Sequence, residues 1–206
     1  MNKIRILIAD DHAIVRYGLA SLFATQDDME VIGQAKDGNE TVRLALKLKP
    51  DIIIMDLMMP GLDGAAATSI LKERQPSTKV LILTSFTTAD GIAHALSAGA
   101  VGAVTKTTED DELIPTIRRI MSGERVISPD IAQHLNDDPP VPKLSPRQHE
   151  ILGQIIRGLS NDDIATALGI RSDSVRKYVK ALFAKLGAAN RAEAVATALR
   201  KYLLKI

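Results

Sequence analysis

Short apolar runs, each ending in a polar side chain, recur through the first half of this 206-residue chain. They cover residues 4–9, 51–55, 79–83 and 102–105. The polar residues that end them are Asp10 with Asp11, then Asp56, Thr84 and Lys106. If the runs are parallel strands, their carboxyl ends open on one crevice, where open α/β sheets bind ligands. The sequence therefore predicts a site with three carboxylates, one hydroxyl and one ammonium group.

Segments with helical spacing alternate with these runs. The strand-like runs lie near 4–9, 30–35, 51–56, 79–84 and 102–105, and the helical segments near 13–24, 39–48, 64–74, 89–98 and 109–122. Such alternation predicts an α/β fold, a doubly wound five-stranded parallel sheet with helices on both faces. The runs around Ile52 and Val80 are apolar on both sides, as central parallel strands must be.

A proline-rich stretch separates this pattern from a purely helical one. Three of the four residues 139–142 are proline, which excludes a helix and favours an extended spacer. The apolar spacing after it predicts four helices in a small all-α domain. We expect one domain at 1–122, a connecting segment and proline-rich linker at 123–142, and a second domain at 143–206.

The two halves of the chain carry opposite charge. Residues 143–206 contain 12 Lys and Arg against 5 Asp and Glu, which leaves 14 against 20 for residues 1–142. A basic second domain favours a polyanionic partner. There is no cysteine, which excludes thiol nucleophiles, disulfides and zinc fingers. No apolar window is long enough to cross a membrane, so we expect a cytoplasmic protein without a membrane partner.

The acidic strand ends have an ordinary interpretation and a functional one. A single Asp after a strand is usually a helix cap, and a single Lys is usually a solvated surface residue. Several carboxylates at one crevice repel each other, however, and require a cation or raised pKa values. Oxygen ligands in a small crevice suit Mg²⁺, which binds through one or two carboxylates, water and phosphate oxygens.

Asp10-Asp11, the stretch 56–64, Thr84-Ser85 and Lys106 resemble the receiver domain of bacterial two-component response regulators. The resemblance implies that Asp56 accepts a phosphoryl group from a sensor histidine kinase. It implies Mg²⁺ as cofactor, bound by Asp10, Asp11, Asp56 and the Met58 carbonyl. Lys106 would pair with a phosphoryl oxygen, and Thr84 would move to donate a hydrogen bond to the phosphoryl group.

One departure from the receiver pattern concerns how phosphorylation is transmitted. The family usually has an aromatic switch residue three positions before the lysine, where this chain has Ala103. An alternative is therefore an atypical regulator that binds DNA independently of phosphorylation. Met58 and Phe86, two residues after Asp56 and Thr84, either pack or shield the phosphoryl group from water.

The second half contains a helix, a tight turn at Gly169, and a helix with cationic residues. Such a helix face is often merely solvated, but the basic total and the turn match a helix-turn-helix that docks in the DNA major groove. We expect no acidic side chain to offset the cations on that face. The apolar residues Val175, Val179, Leu182 and Leu186 would seat the helix on its neighbours.

Residues 144–200 also resemble the LuxR-type helix-turn-helix of NarL/FixJ-class response regulators, from Leu144-Ser145-Pro146 through Lys185-Leu186-Gly187. The resemblance implies double-stranded DNA as partner, and a homodimer when active. The DNA contacts that it implies are Ser160, Asn161, Ser174, Arg176, Lys177 and Lys180, and the dimer contacts are Val195, Ala196 and Leu199. Phosphorylation would release and dimerise the second domain.

An enzyme is the weakest interpretation. A metal-dependent phosphatase using Asp56 would need a second acid–base residue, and none is apparent near the strand ends apart from His12, which we place at the rim. There is no nucleotide-binding glycine motif after any strand. We therefore expect a DNA-binding transcriptional response regulator without enzymatic turnover.

Overall fold

The computed structural model describes residues 3–85, 89–137, 140–141, 144–201 and 203. The chain divides into two compact units, Met1–Asp138 and Pro139–Ile206. The first unit has one apolar core on each face of a sheet, and the second unit has a core of its own. None of the helices in these described ranges is both long and apolar enough to cross a membrane.

A parallel sheet forms the centre of the first unit. Its strands are β1 (Ile4–Ala9), β2 (Met29–Ala35), β3 (Ile52–Met55), β4 (Lys79–Thr84), β5 (Gly102–Thr105) and β6 (Val126–Ile127). They pair in the order β2-β1-β3-β4-β5-β6, and every pairing is parallel. The predicted doubly wound parallel fold is thus confirmed, with one correction: the sheet has six strands where five were expected.

Six helices cover the two faces of this sheet. They are α1 (Ala13–Ala24), α2 (Gly38–Leu48), α3 (Gly64–Arg74), α4 (Ala89–Ala98), α5 (Asp110–Met121) and α6 (Pro129–Asp137). Alternate strand residues point to opposite faces. Ile53 and Met55 enter the core that α2, α3, α4 and α6 cover. Ile52 and Ile54 enter the core that α1 and α5 cover.

The sixth strand and α6 lie in the segment 123–142, which we expected to connect two domains. The Ser128 amide donates to the Ala103 carbonyl at 3.0 Å, which extends the pairing of β6 with β5. The helix α6 then returns over the sheet, and Ile131 is fully buried in the core. A two-residue strand carries no periodic signal, so the sequence pattern could not reveal it. The three-part division of the chain itself stays a prediction.

The described residues of the second unit form four helices, α7 (Pro146–Ile156), α8 (Asn161–Leu168), α9 (Ser172–Leu186) and α10 (Arg191–Arg200). Ser145 and Ser160 begin α7 and α8 with capping boxes, in which side chains and backbone amides satisfy each other. Gly169 and Gly187 end α8 and α9 in the left-handed conformation. Val175, Leu182 and Leu186 of α9 are buried in the common core, as their spacing predicts.

Candidate functional site

The carboxyl ends of three strands bring three charged side chains of the first unit together. Asp10 follows β1, Asp56 follows β3 and Lys106 follows β5. The Lys106 Nζ lies 2.6 Å from Asp10 Oδ2 and 2.9 Å from Asp56 Oδ2. Both carboxylates are buried, and Lys106 is half-buried. Three of the residues predicted from the strand ends therefore meet in one crevice.

Backbone contacts fix this arrangement just beyond the strand ends. The Asp56 amide donates to the Ala9 carbonyl at 2.7 Å, and the Lys106 amide donates to the Thr84 carbonyl at 2.8 Å. At the start of α3, Gly64 packs so closely that a Cβ there would lie 2.3 Å from the Asp56 carbonyl oxygen. The parallel ladder and this close approach hold Asp56 and Lys106 in position.

Burial and charge act against each other at this site. Burial raises the pKa of Asp56, and Lys106 opposes that rise without cancelling it, while the Asp10 charge adds to it. Burial lowers the pKa of Lys106, but its hydrogen bonds to Asp10 and Asp56 outweigh this, and the pKa of Lys106 lies above its ordinary value. Lys106 is therefore a cation at neutral pH, whereas an ionised Asp56 is held at a cost that a further cation would relieve.

A divalent cation fits the ligand atoms at this crevice. Oxygens of Asp10, Asp11 and Asp56 and a ring nitrogen of His12 lie within 4.8 Å of one another. Asp11 and His12 are at the exposed rim, and His12 Nδ1 is 2.7 Å from Asp11 Oδ1. Three carboxylates against one lysine leave the crevice negative, and carboxylate oxygens are the ligands that Mg²⁺ prefers.

Met58 was predicted as a backbone ligand of Mg²⁺, and its side chain was predicted either to pack or to shield the phosphoryl group from water. Its amide faces Asp56 Oδ1 at 3.4 Å, so its backbone borders the crevice. The Met58 side chain is exposed and is not part of the core. Phe86, the other residue predicted to act as a shield, lies outside the described residues.

Thr84 and Ala103 are both fully buried. Within the described part of the chain, the Thr84 hydroxyl makes one long hydrogen bond, 3.5 Å to the Ser85 carbonyl. Thr84 pairs with Thr105 across β4 and β5. Because strand side chains alternate, Thr84, Ala103 and Thr105 share the face of the sheet that α4 and α6 cover.

The predicted DNA-contact residues of α9 form an exposed cationic surface on the second unit. Arg176, Lys177 and Lys180 are all exposed, and Ser174 is half-buried beside them. The expectation that no acid offsets these cations is wrong. Asp173, one turn before Arg176, places its Oδ1 3.6 Å from the Arg176 Nη1. The spacing of three residues between Asp173 and Arg176 on one helix was the signal that would have found this pair.

Ser160 and Asn161 lie at the start of α8, as predicted. The Ser160 hydroxyl donates to Asp163 Oδ2 at 2.6 Å and accepts from the Asp163 amide at 3.2 Å, so it caps the helix. The hydrogen bonds from Ser160 lower the pKa of Asp163, which keeps a negative charge at this helix end. Asn161 is half-buried next to it.

Arg171 is a surface cation that the sequence did not single out. It occupies the N-cap position of α9, where it makes no side-chain capping bond, and its side chain is 87% exposed. Its Nη2 lies 4.0 Å from Asp173. Helix-turn-helix domains present the first residues of the second helix to the bases, and Arg171 therefore extends the cationic surface of α9.

The predicted dimer residues occupy one stripe of α10. Leu199 is 46% exposed and Ala196 is exposed, whereas Val195 is half-buried and packs partly against the core of its own unit. The buried residues of this helix are Ala194 and Ala198. Leu199 with Ala196 is thus the apolar surface that α10 leaves open.

Two family models match the chain, one on each unit. The model "Response regulator receiver domain" matches residues 6–118. The model "Bacterial regulatory proteins, luxR family" matches residues 142–198. Together they cover the strand-end crevice and the helix-turn-helix.

Similar proteins match over nearly their whole length. The "Uncharacterized transcriptional regulatory protein YhcZ" of Bacillus subtilis (strain 168) is 40% identical over 205 residues, which is 95% of each chain. The "Response regulator protein VraR" of Staphylococcus aureus (strain NCTC 8325) is 36% identical over 207 residues, 98% of this chain and 99% of VraR. Both matches therefore span the two units of this chain.

Solved structures agree on the fold. The response regulator ChrA of a heme-sensing two-component system is 32% identical, with a TM-score of 0.60 over 99% of this chain and 100% of that one. The response regulator RcsB in complex with DNA is 24% identical, with a TM-score of 0.69 over 97% of this chain and 99% of that one. At that identity, RcsB supports the architecture alone.

Proposed function

We propose, since this chain belongs to the response regulators that join a receiver domain to a LuxR-type DNA-binding domain, that phosphorylation of Asp56 controls its binding to DNA. A sensor histidine kinase would supply the phosphoryl group. The observation that carries the proposal is the buried Asp56 carboxylate in contact with the Lys106 ammonium group, which also contacts the buried Asp10 carboxylate.

The residues of this crevice suit in-line phosphoryl transfer. An Asp56 oxygen attacks the phosphorus of a phosphohistidine, the P–N bond breaks as the new O–P bond forms, and the imidazole leaves. Transfer of this kind depends on positioning and on neutralising the charge of the phosphoryl oxygens. Lys106 supplies one positive charge, and Mg²⁺ held by Asp10, Asp11, Asp56 and the Met58 carbonyl would supply two more.

Thr84 would respond to the phosphoryl group. Its hydroxyl is buried at the end of β4 and has only the long hydrogen bond to Ser85 among the described residues. A new dianionic group on Asp56 is a strong acceptor, so the Thr84 hydroxyl would turn toward it and donate. This movement would begin the change from the inactive to the active state.

The second unit would bind double-stranded DNA through α9. Arg176, Lys177 and Lys180 are exposed on one helix that follows a tight turn, which is the geometry of a recognition helix in the major groove. Ser160 and Asn161 at the start of α8 would face phosphates. Val195, Ala196 and Leu199 of α10 would form a two-fold contact in an active homodimer.

Acetyl phosphate with Mg²⁺ tests the phosphoryl transfer. We expect intact-mass measurement to show the full-length protein gaining one HPO₃ group, and the Asp56→Asn variant gaining none. An adduct of equal yield on Asp56→Asn would contradict the assignment of Asp56. Asp27→Asn is the suitable control because Asp27 is exposed, and this variant should gain the HPO₃ group like the wild-type protein. Asp63→Asn is not suitable because Asp63 caps α3.

A binding experiment then tests the control of DNA affinity. We expect the phosphorylated protein to bind selected DNA more tightly than the unmodified protein and to dimerise on it. If mass measurement verified the adduct but affinity and association state were unchanged, the protein would bind DNA independently of phosphorylation, which is the alternative that Ala103 raised.

A further inference from the structure

The helix α6 packs on the face of the sheet that Thr84 shares. Ile131 of α6 is fully buried, and it belongs to the same core as Ala103 of β5 and Ile92 and Ala95 of α4. Leu135, one turn later, packs against this core as well. Since Thr84 shares this sheet face by strand alternation, α6 covers the side of the sheet toward which Thr84 points.

Two small residues allow α6 to occupy this place. A Cβ on residue 102 would lie 2.5 Å from the Val126 carbonyl oxygen, so only glycine lets β6 pair with β5. At the next position the side chain is a single methyl group, that of Ala103, and it is completely buried. A large side chain at 103 would need the space on this face in which Ile131 and its neighbours pack.

A polar contact joins the end of β5 to the first turn of α6. The Thr105 hydroxyl is buried and lies 3.4 Å from Asp130 Oδ2. It also contacts the Thr107 hydroxyl at 2.8 Å. Thr105 pairs with Thr84 across the β4–β5 ladder. Thr105 therefore connects Thr84, its partner on the neighbouring strand, with Asp130 at the start of α6.

We propose that α6 is the output element of the first unit, and that it responds to phosphorylation through Ile131, which is buried in the same core as Ala103, and through Asp130, which is bonded to Thr105. This inference rests on the proposed function, because it needs a phosphoryl group on Asp56 and a response of Thr84. When Thr84 turns toward that group, the packing on its sheet face changes, and α6 shifts against β5. α6 ends at Asp137, and the second unit begins at Pro139, so a shift of α6 would act on the point where the chain enters the second unit.

A fluorescent label on α6 tests the first step. The chain has no cysteine, so Gln133→Cys gives a single labelling position on the exposed side of α6. Glu73→Cys, exposed near the end of α3, is the matched control. With acetyl phosphate and Mg²⁺ we expect a spectral change at position 133, little change at 73, and none at 133 once Asp56→Asn is added.

Variants of α6 in the full-length protein test the second step. We expect the ratio of DNA affinities with and without the phosphoryl group, typically about 5- to 150-fold for coupled sites, to fall toward one in Ile131→Ala and to fall partly in Asp130→Ala. The exposed Gln133→Ala is the control and should keep the wild-type ratio. If Ile131→Ala does not fold, Ile131→Val takes its place. It removes one carbon from the side chain and should give an intermediate ratio.

The outcomes separate the two proposals. If no HPO₃ group is gained by the wild-type protein, the proposed function itself is wrong. If the HPO₃ group is gained and DNA affinity changes, but the spectrum of the label at position 133 does not change, α6 is not the output element. The same conclusion follows if Ile131→Val, Ile131→Ala and Asp130→Ala all keep the wild-type ratio while the mass measurement shows normal phosphorylation.

Discussion

At the scale of single residues, Asp56 is held in a position that its ionised form does not favour. Burial raises the pKa of Asp56 more than Lys106 lowers it. A carboxyl group with a raised folded-state pKa stabilises the protein at acidic pH, and this contribution is lost as pH rises through the folded-state pKa. At neutral pH the ionised group is therefore a cost to stability.

Asp56→Asn should therefore stabilise the first unit at neutral pH. We expect a gain of about 0.5–2 kcal/mol in the free energy of unfolding, shrinking as pH falls and wild-type Asp56 takes up a proton. Urea unfolding of the full-length protein at several pH values measures it, with the exposed Asp27→Asn as control for the loss of one negative charge. A loss of stability in Asp56→Asn at neutral pH would show that Lys106 outweighs burial.

Mg²⁺ should stabilise the wild-type protein and lose most of that effect in Asp56→Asn. Mg²⁺ at ten times its Kd adds about 1.4 kcal/mol to the free energy of unfolding, because it binds the folded state only. Thermal unfolding with and without Mg²⁺ measures this effect without any phosphoryl donor. Equal stabilisation of both proteins would place the cation elsewhere than at Asp56.

Arg176 should distinguish DNA sequences, because an exposed guanidinium group on a recognition helix can pair with guanine through two hydrogen bonds. We expect Arg176→Ala to weaken specific binding by about 1–3 kcal/mol with less effect on random DNA. Lys177→Ala is the matched comparison: a lysine is a point charge without the two-pronged guanidinium group, so we expect its loss to weaken binding to both DNAs more equally. Equal losses for Arg176→Ala on both DNAs would make Arg176 a phosphate contact only. Titration of selected and random duplexes at one salt concentration gives both values.

At the scale of elements, β6 is the shortest strand of the sheet, and its pairing with β5 depends on the absence of a side chain at Gly102. A Cβ on residue 102 would meet the Val126 carbonyl at 2.5 Å. We expect Gly102→Ala to destabilise the first unit by about 1–3 kcal/mol and to speed amide exchange at Ser128, which donates to Ala103. Hydrogen exchange with mass detection measures the second effect.

Gly18 offers the matched control for this change. It lies within α1, and beyond the backbone of that helix no heavy atom comes within 4 Å of the place where an added methyl group would lie. Gly18→Ala should therefore stabilise the protein slightly or leave its stability unchanged. If Gly102→Ala behaved like Gly18→Ala in both stability and exchange, the pairing of β6 with β5 would not depend on the close approach at residue 102.

At the scale of the whole molecule, the apolar surface on α10 should determine the association state. Leu199 is exposed, although its neighbours Ala194 and Ala198 are buried. A two-fold contact uses the same surface of both protomers, so one substitution changes the interface at two places. We expect Leu199→Ser to raise the dimer dissociation constant of the phosphorylated protein by about tenfold, since an interface anchor contributes more than about 1 kcal/mol.

Sedimentation of the phosphorylated protein without DNA measures this constant. Ala181→Ser, at an exposed position of α9, changes a similar surface on another helix and should leave the dimer intact. If Leu199→Ser dimerised like the wild-type protein, the two-fold contact would lie on another surface.

Much of this organisation was predictable from the order of residues. The alternation of apolar runs and helical segments predicted β1 to β5 with α1 to α5, because period-two and helical spacing are local properties of the chain. The strand ends predicted that Asp10, Asp56 and Lys106 would meet, since parallel strands end at one edge of a sheet. The opposite charges of the two halves, together with the proline-rich stretch, predicted two units with different partners.

The positions of β6 and α6 could not be predicted in this way. The distance between Asp173 and Arg176 also required the helix geometry. A two-residue strand has no period, and Ile131 is buried in the same core as Ala103, which lies 28 positions earlier in the chain. Such contacts depend on which faces of distant elements meet and on how much space they leave. The sequence by itself determined that Asp10, Asp56 and Lys106 share the crevice at the strand ends. The burial of α6 in the core that contains Ala103 was decided by the tertiary structure, because space between distant side chains is not a local property.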